Sequence, residues 1–381
     1  MSFAIDPKLF ELHAHNPSFG ALKRELPAQQ QQQLIDFYVP ANGYFPTPAM
    51  HTSLREQLAE ALTYYPDQNQ SLSQIMANLL KIDTENIVMA NGSTELITWI
   101  DRLFIKNTLL TDIPTFGRWI DKPMESGKTV HYHTRLPENN FQIVIEEFVS
   151  QVKHCHADTV VICNPNNPTG AYLPKQAMIQ LLDKLSTIKL VVIDESFIDF
   201  AALGEQASMQ KEAIQRPNVI VLKSLGKSLG MHGIRLGYAV TNPSLALQLR
   251  NALPYWNVNG IAEMVMRLLS DYWHEFQNSR QQVMADRNYL QQCLQTLTYI
   301  TVYPSHANFV YIKVHWPISG TALRNQLAQQ YGYIIRECAN KKGANAQYCR
   351  IAAKSPQHTD KLIAALASTL QTLYQEVSTR E

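Results

Sequence analysis

Three short runs, Thr159-Val160-Val161-Ile162-Cys163, Leu190-Val191-Val192-Ile193 and Val219-Ile220-Val221-Leu222, are apolar on both faces. A strand with one wet face alternates polar and apolar residues, so runs of this kind are buried on both sides. Helical stretches near 174–186 and 205–216 separate them. Buried strands alternating with helices predict an α/β fold with a mostly parallel sheet covered on both faces. A helix over 72–80, a strand over Ile87-Val88-Met89 and a helix over 95–104 extend the pattern upstream. After about residue 255 it changes. Long helical stretches over 260–297 lead to short strands at 299–303, 309–314, 333–336 and 348–352, with helices over 320–331 and from about 357. The expected organisation is an N-terminal arm (residues 1–45) that packs with a smaller α+β domain (256–381), and a large domain over 46–255. The link falls near Pro254-Tyr255-Trp256-Asn257-Val258-Asn259-Gly260.

Composition removes several classes of function. The 381 residues suffice for two or three domains. Lys+Arg 33 against Asp+Glu 32 leaves a net charge of +1, with only 17% charged residues. No broad field gathers nucleic acid or anionic lipid. No apolar run approaches the roughly 18 residues that span a bilayer, and the first eight residues lack the basic-then-apolar order of a signal peptide. Cys155, Cys163, Cys293, Cys338 and Cys349 are an odd set without short-range pairing, as expected of reduced thiols. His154-Cys155-His156 has no second cluster to complete a ligand set and reads as a polar helix end before a strand, so no metal is assigned. The expectation is a cytoplasmic enzyme acting on a small molecule.

In open α/β sheets, ligands bind beyond the carboxyl ends of the strands. After the first run comes Asn164-Pro165-Asn166-Asn167-Pro168-Thr169-Gly170, and after the second Asp194-Glu195-Ser196-Phe197. After the third comes Lys223-Ser224-Leu225-Gly226-Lys227, continuing to Gly233-Ile234-Arg235-Leu236-Gly237. An amide, a carboxylate, a lysine and an arginine at successive strand ends match the needs of pyridoxal 5'-phosphate. The cofactor withdraws electrons only while its ring nitrogen stays protonated, which asks for a buried carboxylate, and Asp194 fits. Its aldehyde needs an amine, and Lys227 fits, with Lys223 the rival. Asn167, on a Pro-flanked turn, can donate to the ring oxygen. The phosphate needs N–H groups at a helix start, here Gly92, Ser93 and Thr94, together with Ser224 and Arg235.

These motifs together resemble the fold-type-I pyridoxal-phosphate enzymes of the class I/II aminotransferase family, and the Lys227 to Arg235 spacing resembles the histidinol-phosphate aminotransferase branch. The resemblance covers the chain from about Tyr65 onward. It implies that Phe116 stacks on the pyridine ring and that Tyr65 reaches the phosphate of a neighbouring subunit, hence a homodimer with shared active sites. It implies that Arg350 clamps the substrate α-carboxylate and that Arg336 binds a second anionic group. Phe197 stands three residues after Asp194, where relatives usually carry a tyrosine that donates to the ring oxygen.

On this resemblance the expected activity is a transamination of the histidinol-phosphate type. The alternative is decarboxylation of an amino acid like L-threonine-O-3-phosphate, or elimination or cyclisation on a modified amino acid. Phe197 in Asp194-Glu195-Ser196-Phe197-Ile198-Asp199-Phe200, the Thr301-Val302-Tyr303-Pro304 and Ala307-Asn308 segments, and Arg336-Glu337-Cys338-Ala339-Asn340 resemble the decarboxylases. Their His-Gly-Gly-Asn segment has no clean copy, only His13-Ala14-His15-Asn16-Pro17, and Gly226 stands where a hydroxyl residue is usual. His15-Asn16-Pro17-Ser18-Phe19-Gly20 resembles enzymes that cyclise hydroxylated arginine. A regulator carrying this fold behind a helix-turn-helix would show a basic N-terminal domain, which this sequence lacks.

Overall fold

The protein is described from a computed structural model that covers residues 3–10, 18–202 and 204–378. The His13-Ala14-His15-Asn16-Pro17 segment lies outside the described residues. Strands are numbered along the chain. β1 (Ile35–Asp36) precedes the large sheet, which holds β2 (Ile87–Ala90), β3 (Thr108–Ile113), β4 (Thr129–Thr134), β5 (Thr159–Cys163), β6 (Leu190–Asp194), β7 (Val219–Ser224) and β8 (Gly237–Thr241). Their order is β2-β8-β7-β6-β5-β3-β4, with β8 antiparallel to both neighbours and the rest parallel.

The apolar runs behave as their composition demands. Val160, Ile162, Val191, Ile193, Val219 and Val221 pack into one cluster with the helices Ile145–His154 and Lys175–Lys184. The alternate residues Val161, Cys163, Val192, Ile220 and Leu222 pack into another, with the helices Ser93–Leu103 and Pro243–Ala252. Each strand therefore buries side chains on both sides. The sequence reading does not find β3, β4 or β8. β3 carries the buried Thr111 and Asp112 amid its apolar residues, with Asp112 paired to Arg135. β4 is a half-exposed edge, and β8 begins on Gly237.

The contacts divide the chain into two compact units. One holds 41–167 with 171–282; the other holds the described residues up to Pro40, 168–170, and 283 onward. The division thus falls at 282/283 and not at the turn over 254–260, because the helix Gly260–Asp271 buries Ala262, Val265, Met266 and Leu269 in the same core as the helix Asn69–Leu80. The arm divides too, at Pro40. The second unit carries β9 (Ile300–Tyr303), β10 (Phe309–Val314), β11 (Tyr333–Ile334), β12 (Arg336–Glu337) and β13 (Tyr348–Ala352). An antiparallel sheet runs β12-β13-β10-β9, while β1 pairs in parallel with β11. The expected single strand over 333–336 is therefore broken at Ile335 and shared between two sheets.

In the larger unit the segment 42–45 braces the turn that carries Lys227. The Asn42 backbone N–H donates to the Lys227 carbonyl (3.0 Å), and its side-chain amide donates to the Ser228 carbonyl (2.8 Å) and Ser279 Oγ (2.7 Å). Gly230, at φ 67°, lies so close that a Cβ there would run into the carbonyl oxygens of Asn42 and Phe45. Backbone oxygens cannot swing aside as a side chain can. Gly230→Ala should therefore cost about 1–3 kcal/mol or more, seen as a lower urea midpoint. An unchanged midpoint would show that the segment does not clamp the turn.

Candidate active site

The parallel register sets Cys163 beside Asp194 and Asp194 beside Leu222, which brings the ends of β5, β6 and β7 to one level. Beyond them lies a small cavity lined by Phe116, Asn167, Asp194, Phe197 and Lys227, among others. Five of the residues singled out in the sequence therefore converge. Asp194 is buried, and each carboxylate oxygen accepts one hydrogen bond: Oδ2 from Trp119 Nε1 (2.9 Å) and Oδ1 from the Ser196 backbone N–H (3.1 Å). A carboxylate has further lone pairs for a third donor in the cavity. Lys227 Nζ lies 5.2 Å from the centroid of the buried Phe197 ring.

A second group gathers at the start of the helix Ser93–Leu103. No side chain caps this helix, so its first backbone N–H groups can receive an anion. Gly92, at φ 79°, lets the Arg235 guanidinium come close: an added Cβ would be 2.7 Å from Nη2. Arg235 Nη2 is also 3.5 Å from Thr94 Oγ1. Ser224 pairs across the sheet with Gly237, which pairs in turn with Ala90, so Gly92, Ser93, Thr94, Ser224 and Arg235 share one corner of the sheet edge. The turn after β5 is held by its own amides. Asn164 Nδ2 donates to the Leu173 carbonyl (2.9 Å) and Asn166 Nδ2 to the Pro114 carbonyl (2.8 Å).

Lys223 is engaged elsewhere. Its buried amine sits 2.6 Å from Asp199 Oδ1, which Arg280 Nη1 also meets at 2.9 Å. Burial alone would pull the Lys223 pKa down, but the Asp199 carboxylate outweighs it and holds the amine protonated above the usual lysine range. A permanently charged, paired amine is a poor nucleophile. Glu195, next to the ring-side carboxylate, faces away from it. It accepts from Ser208 Oγ and the Met209 N–H, and burial pushes its pKa up to about 7.

In the smaller unit Arg336 and Arg350 stand directly opposite one another on β12 and β13, both buried. Tyr65, in the larger unit, is 80% exposed and stacks on Trp256 with ring centroids 4.7 Å apart. Trp119, Ser196, Asn42 and Tyr38 escape the sequence reading. Trp119 alone had a signal, since a buried indole N–H needs an acceptor; the others act through backbone groups or partners far away in the chain.

The Asp194 carboxylate, the Lys227 amine, the Phe116 ring and the corner around Gly92 and Arg235 are groups that suit pyridoxal phosphate. Among the described residues no helix is long and apolar enough to cross a membrane. Comparison with known proteins agrees with the cofactor. The family model described as aminotransferase class I and II matches residues 8–370. The chain is 31% identical over 368 residues to an L-serine phosphate decarboxylase of Sulfurospirillum multivorans, covering 94% of this chain and 93% of the relative. A solved structure of a decarboxylase from Sulfurospirillum multivorans superposes with a TM-score of 0.86 at 31% identity, over 96% of both chains. The histidinol-phosphate aminotransferase from Clostridium acetobutylicum superposes with a TM-score of 0.80 at 27% identity, over 89% of this chain and all of that one. Fold, cofactor fit and similarity over nearly the whole length agree: this chain is a pyridoxal-phosphate enzyme of the class I and II aminotransferase family.

Proposed function

We propose that the enzyme decarboxylates a phosphorylated amino acid of the L-serine phosphate type. The observation that carries this reading is the 31% identity to an L-serine phosphate decarboxylase across 94% of the chain. A second such decarboxylase, of Campylobacter jejuni, is 27% identical over the same share. This support favours the alternative over the histidinol-phosphate transamination expected from the sequence, although a histidinol-phosphate aminotransferase of Ruminiclostridium cellulolyticum is 27% identical over 75% of the chain. Phe197 agrees, because it withholds the hydroxyl that the transaminases place at this position.

When bound, pyridoxal phosphate supplies an electron sink for the pair left at the substrate Cα. Asp194, pinned by Trp119 and Ser196, keeps a proton on the ring nitrogen. Phe116 would pack on the ring face, and Asn167 would donate to the ring oxygen. Gly92, Ser93, Thr94, Ser224 and Arg235 hold the cofactor phosphate. Arg350 orients the substrate α-carboxylate and Arg336 the substrate phosphate. Lys227 would supply the amine that holds the cofactor, and its Nζ would take up a proton from the substrate ammonium. Once the carboxylate has left as CO2, Lys227 Nζ delivers one proton to Cα. From L-serine phosphate the products are CO2 and 2-aminoethyl phosphate.

We also place the enzyme in the cytoplasm as a homodimer in which Tyr65 reaches the partner's cofactor phosphate. Its five unbridged cysteines suit a reducing compartment. Tyr65 and Tyr255 both lie against Trp256, and the three exposed rings form an apolar patch of the kind that marks a protein interface.

Holoenzyme given O-phospho-L-serine without a keto acid should release CO2 and 2-aminoethyl phosphate in equal amounts. Glutamate formed from 2-oxoglutarate, with no CO2, would restore the transaminase reading. Lys227→Ala should lose the visible absorbance of covalently held cofactor and any borohydride-fixed adduct, while Lys223→Met should keep both. An adduct surviving on Lys227→Ala would move the reactive amine to another lysine. Asp194→Asn should still bind the cofactor but turn over at least about 100-fold more slowly, since a neutral amide cannot hold the ring proton. A near-native rate would remove Asp194 from that role.

A further inference from the structure

The face of the smaller sheet that bears Arg350 carries an ordered row. Arg336 on β12 is directly opposite Arg350 on β13, which is opposite Tyr311 on β10, itself opposite Tyr303 on β9. Directly opposed residues project from the same face, and like charges placed so repel. Both guanidiniums are also withdrawn from water, at 7% and 8% exposure. The row thus concentrates two positive charges on one face of the sheet, where an anion would be attracted.

One residue joins the two arginines. Tyr38 follows β1, and its backbone is tightly fixed: Asp36 Oδ1 accepts from the N–H groups of Tyr38 (2.7 Å) and Val39 (2.9 Å). The preceding Phe37 donates to the Ile334 carbonyl (2.9 Å) and accepts from the Ala352 N–H (2.8 Å), tying it to the ends of β11 and β13. From this position the Tyr38 carbonyl accepts from Arg350 Nη2 (2.8 Å), and its phenolic oxygen accepts from Arg336 Nη1. The Arg336 Cζ lies 5.1 Å from the Tyr38 ring centroid, and Asn340 Oδ1 takes Arg336 Nη2 at 2.8 Å.

A phenol that accepts from a guanidinium retains its own O–H to give. An anion drawn to Arg336 is the acceptor such a group meets. Burial raises the Tyr38 pKa, outweighing the opposing pull of Arg336. The group therefore remains a neutral donor near pH 7 and not a phenolate that would repel phosphate. The two arginines alone attract any anion, whereas a phosphate ester offers three terminal oxygens and so rewards an additional donor.

We propose that Tyr38 is a specificity-determining residue, whose phenol donates to the phosphate of the substrate while its carbonyl orients Arg350, so that the enzyme selects a phosphorylated amino acid over its unphosphorylated parent. This rests on the reading of the substrate as a phosphorylated amino acid. Tyr38→Phe keeps the ring over Arg336 and the carbonyl for Arg350, and removes only the hydroxyl. Binding to the holoenzyme is followed by the change in visible absorbance of the cofactor, with O-phospho-L-serine and L-serine as probes.

In Tyr38→Phe the apparent Kd for O-phospho-L-serine should rise about tenfold or more, with that for L-serine unchanged. Inorganic phosphate should likewise compete less well. Equal weakening of both probes would reveal a merely structural role, and no weakening would remove Tyr38 from the site; either overturns the proposal. If the native enzyme itself bound O-phospho-L-serine no better than L-serine, the phosphorylated-substrate reading would fall, and this inference with it. The two failures are therefore distinguishable.

Discussion

The site depends on the register of three parallel strands. Because β5, β6 and β7 run in the same direction and end level, Cys163, Asp194 and Leu222 lie side by side. Everything that follows those residues in the chain must emerge at one edge. The Pro-flanked amide turn, the carboxylate and the lysine turn meet there without any long-range design beyond the sheet itself. That sheet can be parallel only because both of its faces are covered, which the alternating assignment of Val160 and Val161, or Val191 and Val192, to opposite clusters achieves.

Buried charge is then handled in two different ways. Lys223 and Arg280 both face the Asp199 carboxylate, and the effect is to hold Lys223 protonated. Lys227, four residues on, has its Nζ 5.2 Å from the centroid of the Phe197 ring. Asp194 has one donor on each oxygen, enough to fix its orientation while leaving acceptor capacity toward the cavity. The same residue types thus meet different immediate partners in the two places.

The smaller unit places two arginines opposite one another. Their positions on adjacent strands bring two positive charges together, and Tyr38 contacts both through different atoms. Its phenol and carbonyl belong to a segment held on both sides by backbone hydrogen bonds, which suits a residue that must present a donor at a fixed place.

How much of this was legible in advance follows from the range of each interaction. Apolar runs and turn motifs are local, so the α/β class, the strand ends and the set of Asn167, Asp194, Lys227 and Arg235 could be read from residue order. The bounds of β10, β13 and the helix Gly320–Tyr331 followed from periodicity alone. β3, β4 and β8 could not, because buried polar residues, an exposed edge and an initial glycine hide their pattern. The domain division moved to 282/283 because the apolar face of one helix found its partner in the larger unit. The contacts that set the chemistry were beyond reach for the same reason: Trp119 meets Asp194 across 75 residues and Tyr38 meets Arg336 across 298. The sequence by itself determined which chemical groups stand at the sheet edge, since each follows its own strand. Only the tertiary structure decided which partners each of them meets and which tyrosine joins the arginines, because packing brings together residues that chain order keeps apart.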